Sequence, residues 1–406
     1  MFLKETNREI KVLFISAWYP HRYDSMSGLF VRKHAEAANL YCDVTVLYVH
    51  ADEHIRTIEV VEQTYHGLRE IIVYYPAGNK NIFHKIVKTI RYFKAYRKGY
   101  EYLNRKGFSP DIIHANILTR TGAIAYLYKL RKGIPYVLTE HWSRYLPQNF
   151  SYKGFLRKKI SEIAVRHASA VMPISNLLRQ AMLESNLKNP VYKVVDNVVD
   201  DFFFQDIEKE QRNIKRFLHI SCFDESAKNV SGILKATKSL TEERDDFELI
   251  IIGDGPYFEK GIEVYESLNF SKDMVKFVGE KAPHEVAWWF QNSDAFILFS
   301  NYETAGVVIA ESMASGIPVI ATPTGIIPDV IDETGGLIVD FKDEKALKEK
   351  MNLMLDSFQH YNSKKIREKA KKFSYAIVGK ELETIYAQAL NNLVKRSQIS
   401  CILSDE

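Results

Sequence analysis

The stretch NYETAGVVIAESMASGIPVIAT, residues 301–322, decides how the chain is read. An apolar run, Ala295–Phe299, precedes it, and a second, Pro318–Thr322, closes it, so it reads as strand, loop, helix, tight turn, strand. Thr304 is the expected N-cap, which leaves Ala305, Gly306 and Val307 presenting unpaired backbone N–H groups. Small side chains there let a diphosphate approach, and the helix dipole favours its charge. Val307, Val308, Ile309 and Met313 leave little of this helix for solvent, so Glu311 inside it needs a partner. Glu303 stands just before the helix. With 305–311 helical, the rise between them is roughly 9 Å. Two carboxylates so spaced can accept hydrogen bonds from hydroxyls at opposite ends of one extended ligand, a sugar on one side of a diphosphate and a ribose on the other.

Working outward, short apolar runs alternate with helix-like segments. Val12–Ile15, Val44–Val49, Asp111–His114, Tyr136–Thr139 and Ala170–Ile174 read as strands of a first lobe, with a helix from about Val31 to Leu40. The pattern restarts with Arg216–Ile220, a helix near Val230–Leu240, Glu248–Ile252, Val275–Val278 and the two runs above. Such alternation predicts β-α units on parallel sheets. The expected fold is α/β, two doubly wound lobes facing a cleft, with ligands at the carboxyl ends of the strands. The boundaries are 1–205 and 206–374, joined within about 197–215. A C-terminal helix, about 375–406, is expected to pack back on the first lobe.

Composition sets the class. A chain of 406 residues with 46% hydrophobic and 26% charged residues holds two globular cores. No run is apolar and long enough to span a bilayer, and the first ten residues lack the apolar centre of a signal peptide. Cys42, Cys222 and Cys401 form no C-x-x-C pair, which argues against a disulfide framework or a structural zinc and fits a cytoplasmic setting. Residues 1–205 carry 30 Lys+Arg against 18 Asp+Glu, a net of +12, which leaves 25 against 33, a net of −8, for the rest of a chain with 55 and 51 in all. Residues 81–108 concentrate Lys85, Lys88, Arg91, Lys94, Arg97, Lys98, Arg105 and Lys106 among Ile82, Phe83, Ile86, Val87, Ile90, Phe93 and Tyr96. That is a basic amphipathic helix, suited to the anionic inner face of a membrane. No nucleic-acid motif accompanies it.

Glu303 and Glu311 fit the E-x7-E motif of retaining glycosyltransferases with the GT-B fold, and the surroundings resemble glycosyltransferase family 4. Gly28 with Phe30-Val31-Arg32, Pro110–Ala115, Val171–Ser175, Asp196–Asp200, Gly253–Pro256 and Phe277-Val278-Gly279 resemble family landmarks in the family's order. The resemblance covers most of the chain. It implies transfer of a sugar from a UDP- or GDP-sugar to a saccharide or lipid-linked acceptor, as in cell-surface polysaccharide or glycolipid synthesis. It places Glu311 on the ribose, Glu303 on the sugar, Lys228 with Gly28, Gly279 and the amides near Gly306 on the donor, and His141 beside the donor sugar. Glu140, next to His141, is expected on the acceptor side.

Two departures stand out. Only Gly28 remains of the family's usual glycine pair, and no arginine precedes Lys228 in Ser221–Ala227. Leu249–Phe258 contains G-x-G after a strand, but Phe258 stands where a dinucleotide fingerprint needs its third glycine. There is no D-x-D sequence to hold a metal on a nucleotide diphosphate. The chemistry is therefore expected to need no metal and no cofactor beyond the donor. The competing readings are a nucleotide-sugar-binding protein without transferase activity and a two-lobed epimerase or phosphorylase.

Overall fold

The computed structural model describes residues 9–78, 84–149, 151–271 and 273–402. The first sheet contains β1 (Lys11–Ser16), β2 (Asp43–Asp52), β3 (Glu59–Tyr65), β4 (Leu68–Pro76), β5 (Ile112–Asn116), β6 (Tyr136–Glu140) and β7 (Ala170–Pro173), in the order β3-β4-β2-β1-β5-β6-β7. All pairs are parallel except β3 with β4. The second sheet contains β8 (Lys215–Ile220), β9 (Phe247–Ile252), β10 (Val275–Phe277), β11 (Ala295–Leu298), β12 (Val319–Ala321) and β13 (Gly336–Ile338), in the order β10-β9-β8-β11-β12-β13, all parallel. The central strands are buried on both faces, which is why they read as unbroken apolar runs.

Strand order reverses direction between β1 and β5 in the first sheet and between β8 and β11 in the second. The crevice beyond the carboxyl ends at such a switch point is where doubly wound sheets take ligands. The two crevices face each other. Ser175, just past β7, donates from Oγ to the Thr304 carbonyl at 2.6 Å, and Asn176 donates to Asp329 at 3.1 Å.

Two pieces of sheet were not foreseen. β3 and β4 form a hairpin on a two-residue turn, His66 (φ 45°) and Gly67 (φ 81°), the positive-φ pair that suits the twist of flanking strands. β13 is three residues long, too short for periodicity to show. The first helix runs Leu29–Asn39, two residues earlier than its apolar pattern predicts. The C-terminal helix, Tyr375–Ile402, buries Val378, Leu382, Ile385 and Tyr386 with residues of the first lobe. Tyr386 Oη lies 2.7 Å from His114 Nδ1 of β5. Residues 1–8 lie outside the described residues.

Candidate active site

Four loops supply the site: those after β1 and β6 in the first lobe, and those after β8 and β11 in the second. After β11 the chain enters a buried loop in which Glu303 Oε1 accepts from Ser300 Oγ at 2.9 Å and from Lys228 Nζ at 2.5 Å. Thr324 Oγ1 accepts from the Glu303 amide at 2.8 Å and fixes the backbone. Lys228 ends a one-turn helix, Glu225–Lys228, whose N-cap Asp224 accepts from the Ser226 amide. Asn301 staples the two loops together, donating from its amide to the Ala227 carbonyl at 2.7 Å and from its side chain to the Ser226 carbonyl at 3.0 Å. Burial alone would lower the Lys228 ammonium, but Glu303 outweighs it and holds the group above its ordinary value.

The helix after Glu303 begins later than expected. It spans Val307–Ala314, and its N-cap is Gly306 in the left-handed region (φ 72°), not Thr304. Thr304 instead gives its carbonyl to Ser175 across the cleft, and the Ala305 carbonyl accepts from the Ile326 amide. Ala305 is therefore loop, and Val307 opens the first turn, where amides lack intrahelical acceptors. The helical rise to Glu311 shrinks to about 6 Å. Ile309, Ala310, Ser312, Met313 and Ala314 are buried, while Val307, Val308 and Glu311 remain partly open along one stripe. Burial pushes the Glu311 carboxyl up to about 7, with Lys33 pulling it down and Asp200 pushing it up. Lys33 pairs with Asp200 at 2.7 Å, so both groups come from outside the second sheet to meet Glu311. Among the described residues no side chain hydrogen-bonds to Glu311, whose side chain is partly open to the cleft.

In the stretch before Lys228, Cys222 is exposed and stands close to Lys228. Gly253 and Gly255 have a packing reason. A Cβ at either would sit within 2 Å of the Ser221 and Cys222 carbonyl oxygens (1.9 and 1.8 Å), so the loop after β9 lies directly on the loop that leads to Lys228. The Gly253 amide donates to the Gly279 carbonyl at 3.0 Å, which places Gly279 at the same rim.

In the first lobe, Gly28 (φ 63°) caps the Leu29–Asn39 helix, and a Cβ there would lie 2.4 Å from the Trp18 carbonyl. Close packing requires glycine at this point whether or not phosphate approaches. His141 is buried at the end of β6, between Phe30 (ring centroids 4.5 Å) and His34 (5.3 Å). Its Nε2 lies 3.4 Å from Asn116 Oδ1, and its Nδ1 makes no hydrogen bond of ordinary geometry, with the Asn197 side chain near enough to pull its pKa up. Burial first, then the neighbouring His34 and His114, hold it well below the ordinary histidine range, so the ring is neutral.

Glu140 departs from expectation. Oε1 accepts from the amides of His141 and Trp142, both at 2.9 Å, and Oε2 accepts from the Leu118 amide at 3.0 Å and Tyr145 Oη at 3.2 Å. All of its acceptor capacity is used inside the protein. It ties the loops after β5 and β6 together and leaves nothing for an acceptor hydroxyl. Lys33, Asn116 and Arg144 are the site's residues that sequence reasoning passed over; each reads as an ordinary polar residue until its burial is known.

The basic helix runs His84–Arg105. Ile82 and Phe83 lie outside the described residues, as does the side chain of Lys85. Its second half buries Tyr92, Ala95, Tyr96, Tyr100 and Leu103, while Ile86, Val87, Ile90 and Phe93 remain exposed. Tyr96, read among the apolar residues of this helix, packs into the lobe. An apolar groove of about 540 Å³ runs between this helix and the helix Leu118–Lys132, lined by Phe93, Tyr100, Ile124 and Leu127 and rimmed by Lys94, Arg131 and Lys132. Among the described residues no helix is long and apolar enough to cross a membrane.

Comparison with known proteins agrees with this architecture. Residues 203–376 match the family model of group 1 glycosyl transferases, and residues 35–197 match that of the glycosyl transferase 4-like domain. N-acetyl-alpha-D-glucosaminyl L-malate synthase of Bacillus anthracis is 28% identical over 70% of this chain and 76% of its own. Alpha-monoglucosyldiacylglycerol synthase of Streptococcus pneumoniae is 26% identical over 71% and 69%. Among solved structures, sucrose-phosphate synthase from Thermosynechococcus elongatus superposes with a TM-score of 0.74 at 19% identity, covering 95% of this chain and all (100%) of that one. HepE from Anabaena in complex with UDP superposes with a TM-score of 0.70 at 15% identity, covering 93% and 100%. The chain belongs to the family 4-like glycosyltransferases of the two-lobed GT-B fold.

Proposed function

We propose that the chain transfers a sugar, with retention of configuration and without a metal, from a UDP- or GDP-sugar to a saccharide or lipid-linked acceptor in the synthesis of a cell-surface polysaccharide or glycolipid. The observation that carries this reading is the Lys228–Glu303 ion pair held beside the open stripe of Val307, Val308 and Glu311. A donor diphosphate entering there meets the Lys228 ammonium and the first-turn amides, and Glu303, relieved of its cation, accepts from sugar hydroxyls. Glu311 accepts from the ribose. Neutral His141 faces the sugar from the first lobe.

In the reaction the acceptor oxygen bonds to the anomeric carbon on the face from which the phosphate leaves. The C1–O bond to phosphate breaks, and the departing phosphate oxygen takes the acceptor's proton. Lys228 stabilises the charge that develops on the diphosphate. The relatives include enzymes named for a glycolipid and for a malate glycoside, and HepE was solved with UDP. These support a nucleotide-sugar donor and a small or lipid-borne acceptor. The exposed apolar residues and cations of the His84–Arg105 helix favour work at the inner membrane surface.

The test is a panel of nucleotide-sugars screened by thermal shift, followed by nucleotide release with acceptor and assignment of the product's anomeric centre by NMR. A bound donor raises Tm by mass action. Stabilisation by one donor, release of its nucleotide and a retained anomer are expected. Stabilisation without release in the presence of any acceptor would favour a binding protein, and an inverted product would end the retaining reading.

A further inference from the structure

Arg144 is the most unusual charge in the first lobe. It is 5% exposed, lies on the loop after β6 three residues past His141, and forms no ion pair among the described residues. Nη1 donates to Thr119 Oγ1 at 2.8 Å, the guanidinium lies 3.0 Å from the centre of the Trp142 ring, and Nε has no partner. Glu140 is near but gives its oxygens to other donors. Glu140 keeps its charge and favours Arg144 from a distance, but it does not pair with it, so the guanidinium's donors stay short of acceptors and an anion within their reach is the usual remedy.

The surroundings fix where that anion sits. Thr119 is in the first turn of the Leu118–Lys132 helix, just beyond β5, and is partly open to solvent. Trp142 packs on Trp18 of the loop after β1, with ring centroids 4.7 Å apart, so the face of Arg144 is held rigidly. Ile117, a β-branched residue at φ 64°, turns the chain sharply into the helix and is held by its amide on the Thr139 carbonyl at 2.9 Å. All of this lies at the carboxyl ends of β5 and β6 in the first lobe, across the cleft from Lys228 and Glu303.

We infer that Arg144, with Thr119, is an anion subsite that selects the acceptor: the molecule receiving the sugar carries a phosphate monoester or a carboxylate close to its reactive hydroxyl. The planar fork of a guanidinium suits both groups, through two parallel N–H donors. This inference rests on the transferase reading and specifies its acceptor. Arg144 is a specificity residue in it and takes no part in bond making.

The experiment uses the full chain saturated with UDP, or with GDP if that nucleotide is the one bound, so that the diphosphate site is filled. Binding of glycerol 3-phosphate and of succinate is measured by calorimetry for the parent, Arg144→Gln, Arg144→Lys and Thr119→Val. One of the two anions should bind the parent, and that arm tells phosphate from carboxylate. Arg144→Gln should weaken it tenfold or more and Arg144→Lys by less, while nucleotide affinity reports an intact second lobe. Should Arg144→Gln not fold, Thr119→Val carries the test, with a several-fold loss expected. The inference is overturned if neither anion binds the parent, or if both Arg144 variants and Thr119→Val bind as the parent does. If neither nucleotide binds but an anion still does, and does so through Arg144, the transferase reading fails and the subsite stands.

Discussion

Lys228 Nζ and Glu303 Oε1 lie 2.5 Å apart, 75 residues apart in sequence, in a loop pair that Asn301 holds closed. Each residue was expected to meet a different part of the donor, and each now satisfies the other. Their side chains are 17% and 10% exposed, so neither charge has much water to fall back on. Removing one partner leaves the other stranded, which costs about 3 kcal/mol or more for buried pairs. Lys228→Ala should therefore lower Tm as well as turnover. The turnover loss should reach the order of 10²–10³, the range for removal of one charge-stabilising donor. Glu303→Ala should lower turnover far more than UDP or GDP affinity. Equal loss of free-nucleotide affinity would contradict its place on the sugar, and a near-normal rate in Lys228→Ala would show that another group stabilises the diphosphate.

Glu311 gives a pH dependence with a definite sign. Its folded value, pushed up by burial to about 7, lies above its ordinary 4.5. Between those values the folded state holds a proton that the unfolded state has lost, so this group's contribution to stability falls as pH rises through the window, by on the order of 3 kcal/mol across it. A ribose hydroxyl donates to the ionised form, so nucleotide binding should tighten with rising pH, by up to about tenfold per pH unit below the folded pKa. Calorimetry from about pH 5.5 to 8.5 should show this slope for the parent and a flatter one for Glu311→Gln. Parallel slopes would remove Glu311 from the ribose.

The strands were legible because two-sided burial turns them into continuous apolar runs: Val12–Ile15, Leu249–Ile252 and Ala295–Leu298 can be little else. The hairpin of β3 and β4 escaped notice because its outer strand, Glu59–Tyr65, mixes charged and apolar residues, and its turn is His-Gly, a weaker signal than Asn-Gly. Glu303, Glu311 and Lys228 were singled out by their resemblance to family landmarks and not by periodicity, since Glu303 stands in the loop before a helix that begins only at Val307. Glu140 could not be placed correctly from spacing, since its partners are backbone amides of the very loop it begins. Arg144 was invisible for a related reason: a lone arginine reads as solvated, and only its burial, with the Glu140 oxygens already hydrogen-bonded elsewhere, marks it as lacking a direct ion pair.

Cys222 offers a chemical readout of the donor site. It is exposed, and it stands close to Lys228 at the position where an arginine was expected. Its alkylation by iodoacetamide should slow several-fold when the donor nucleotide occupies the loop after β8. Mass spectrometry of the labelled peptide reads this directly. Labelling at the same rate with and without saturating nucleotide would place the diphosphate elsewhere.

The missing D-x-D sequence makes a prediction about metals. With the diphosphate held by Lys228 and backbone amides, the rate under saturating donor should survive excess EDTA. Restoration of a lost rate by magnesium or manganese would assign the diphosphate's charge to an ion and reduce the part played by Lys228.

The last prediction concerns the first lobe's outer face. Its net of +12 (30 Lys+Arg less 18 Asp+Glu) is concentrated along the His84–Arg105 helix, where Ile86, Ile90 and Phe93 are exposed beside Lys88 and Lys94. An anionic leaflet attracts each nearby cation by roughly 1 kcal/mol, screened over about a Debye length, while inserted apolar side chains add a term that salt does not weaken. Vesicles containing anionic lipid should therefore sediment the protein at low salt, neutral vesicles should take much less, and added salt should remove most of the difference. Arg91 is a poor choice for substitution, because its Nη1 donates to the Pro76 carbonyl at 3.1 Å and its loss would disturb the fold. Lys88→Gln with Lys94→Gln should lower binding to anionic vesicles by about 2 kcal/mol, some thirtyfold, at low salt. Ile90→Ser with Phe93→Ser should lower it by an amount that persists at high salt. Equal sedimentation with anionic and neutral vesicles, or unchanged binding by both double variants, would make this helix a solvated face and leave the acceptor to reach the cleft from solution.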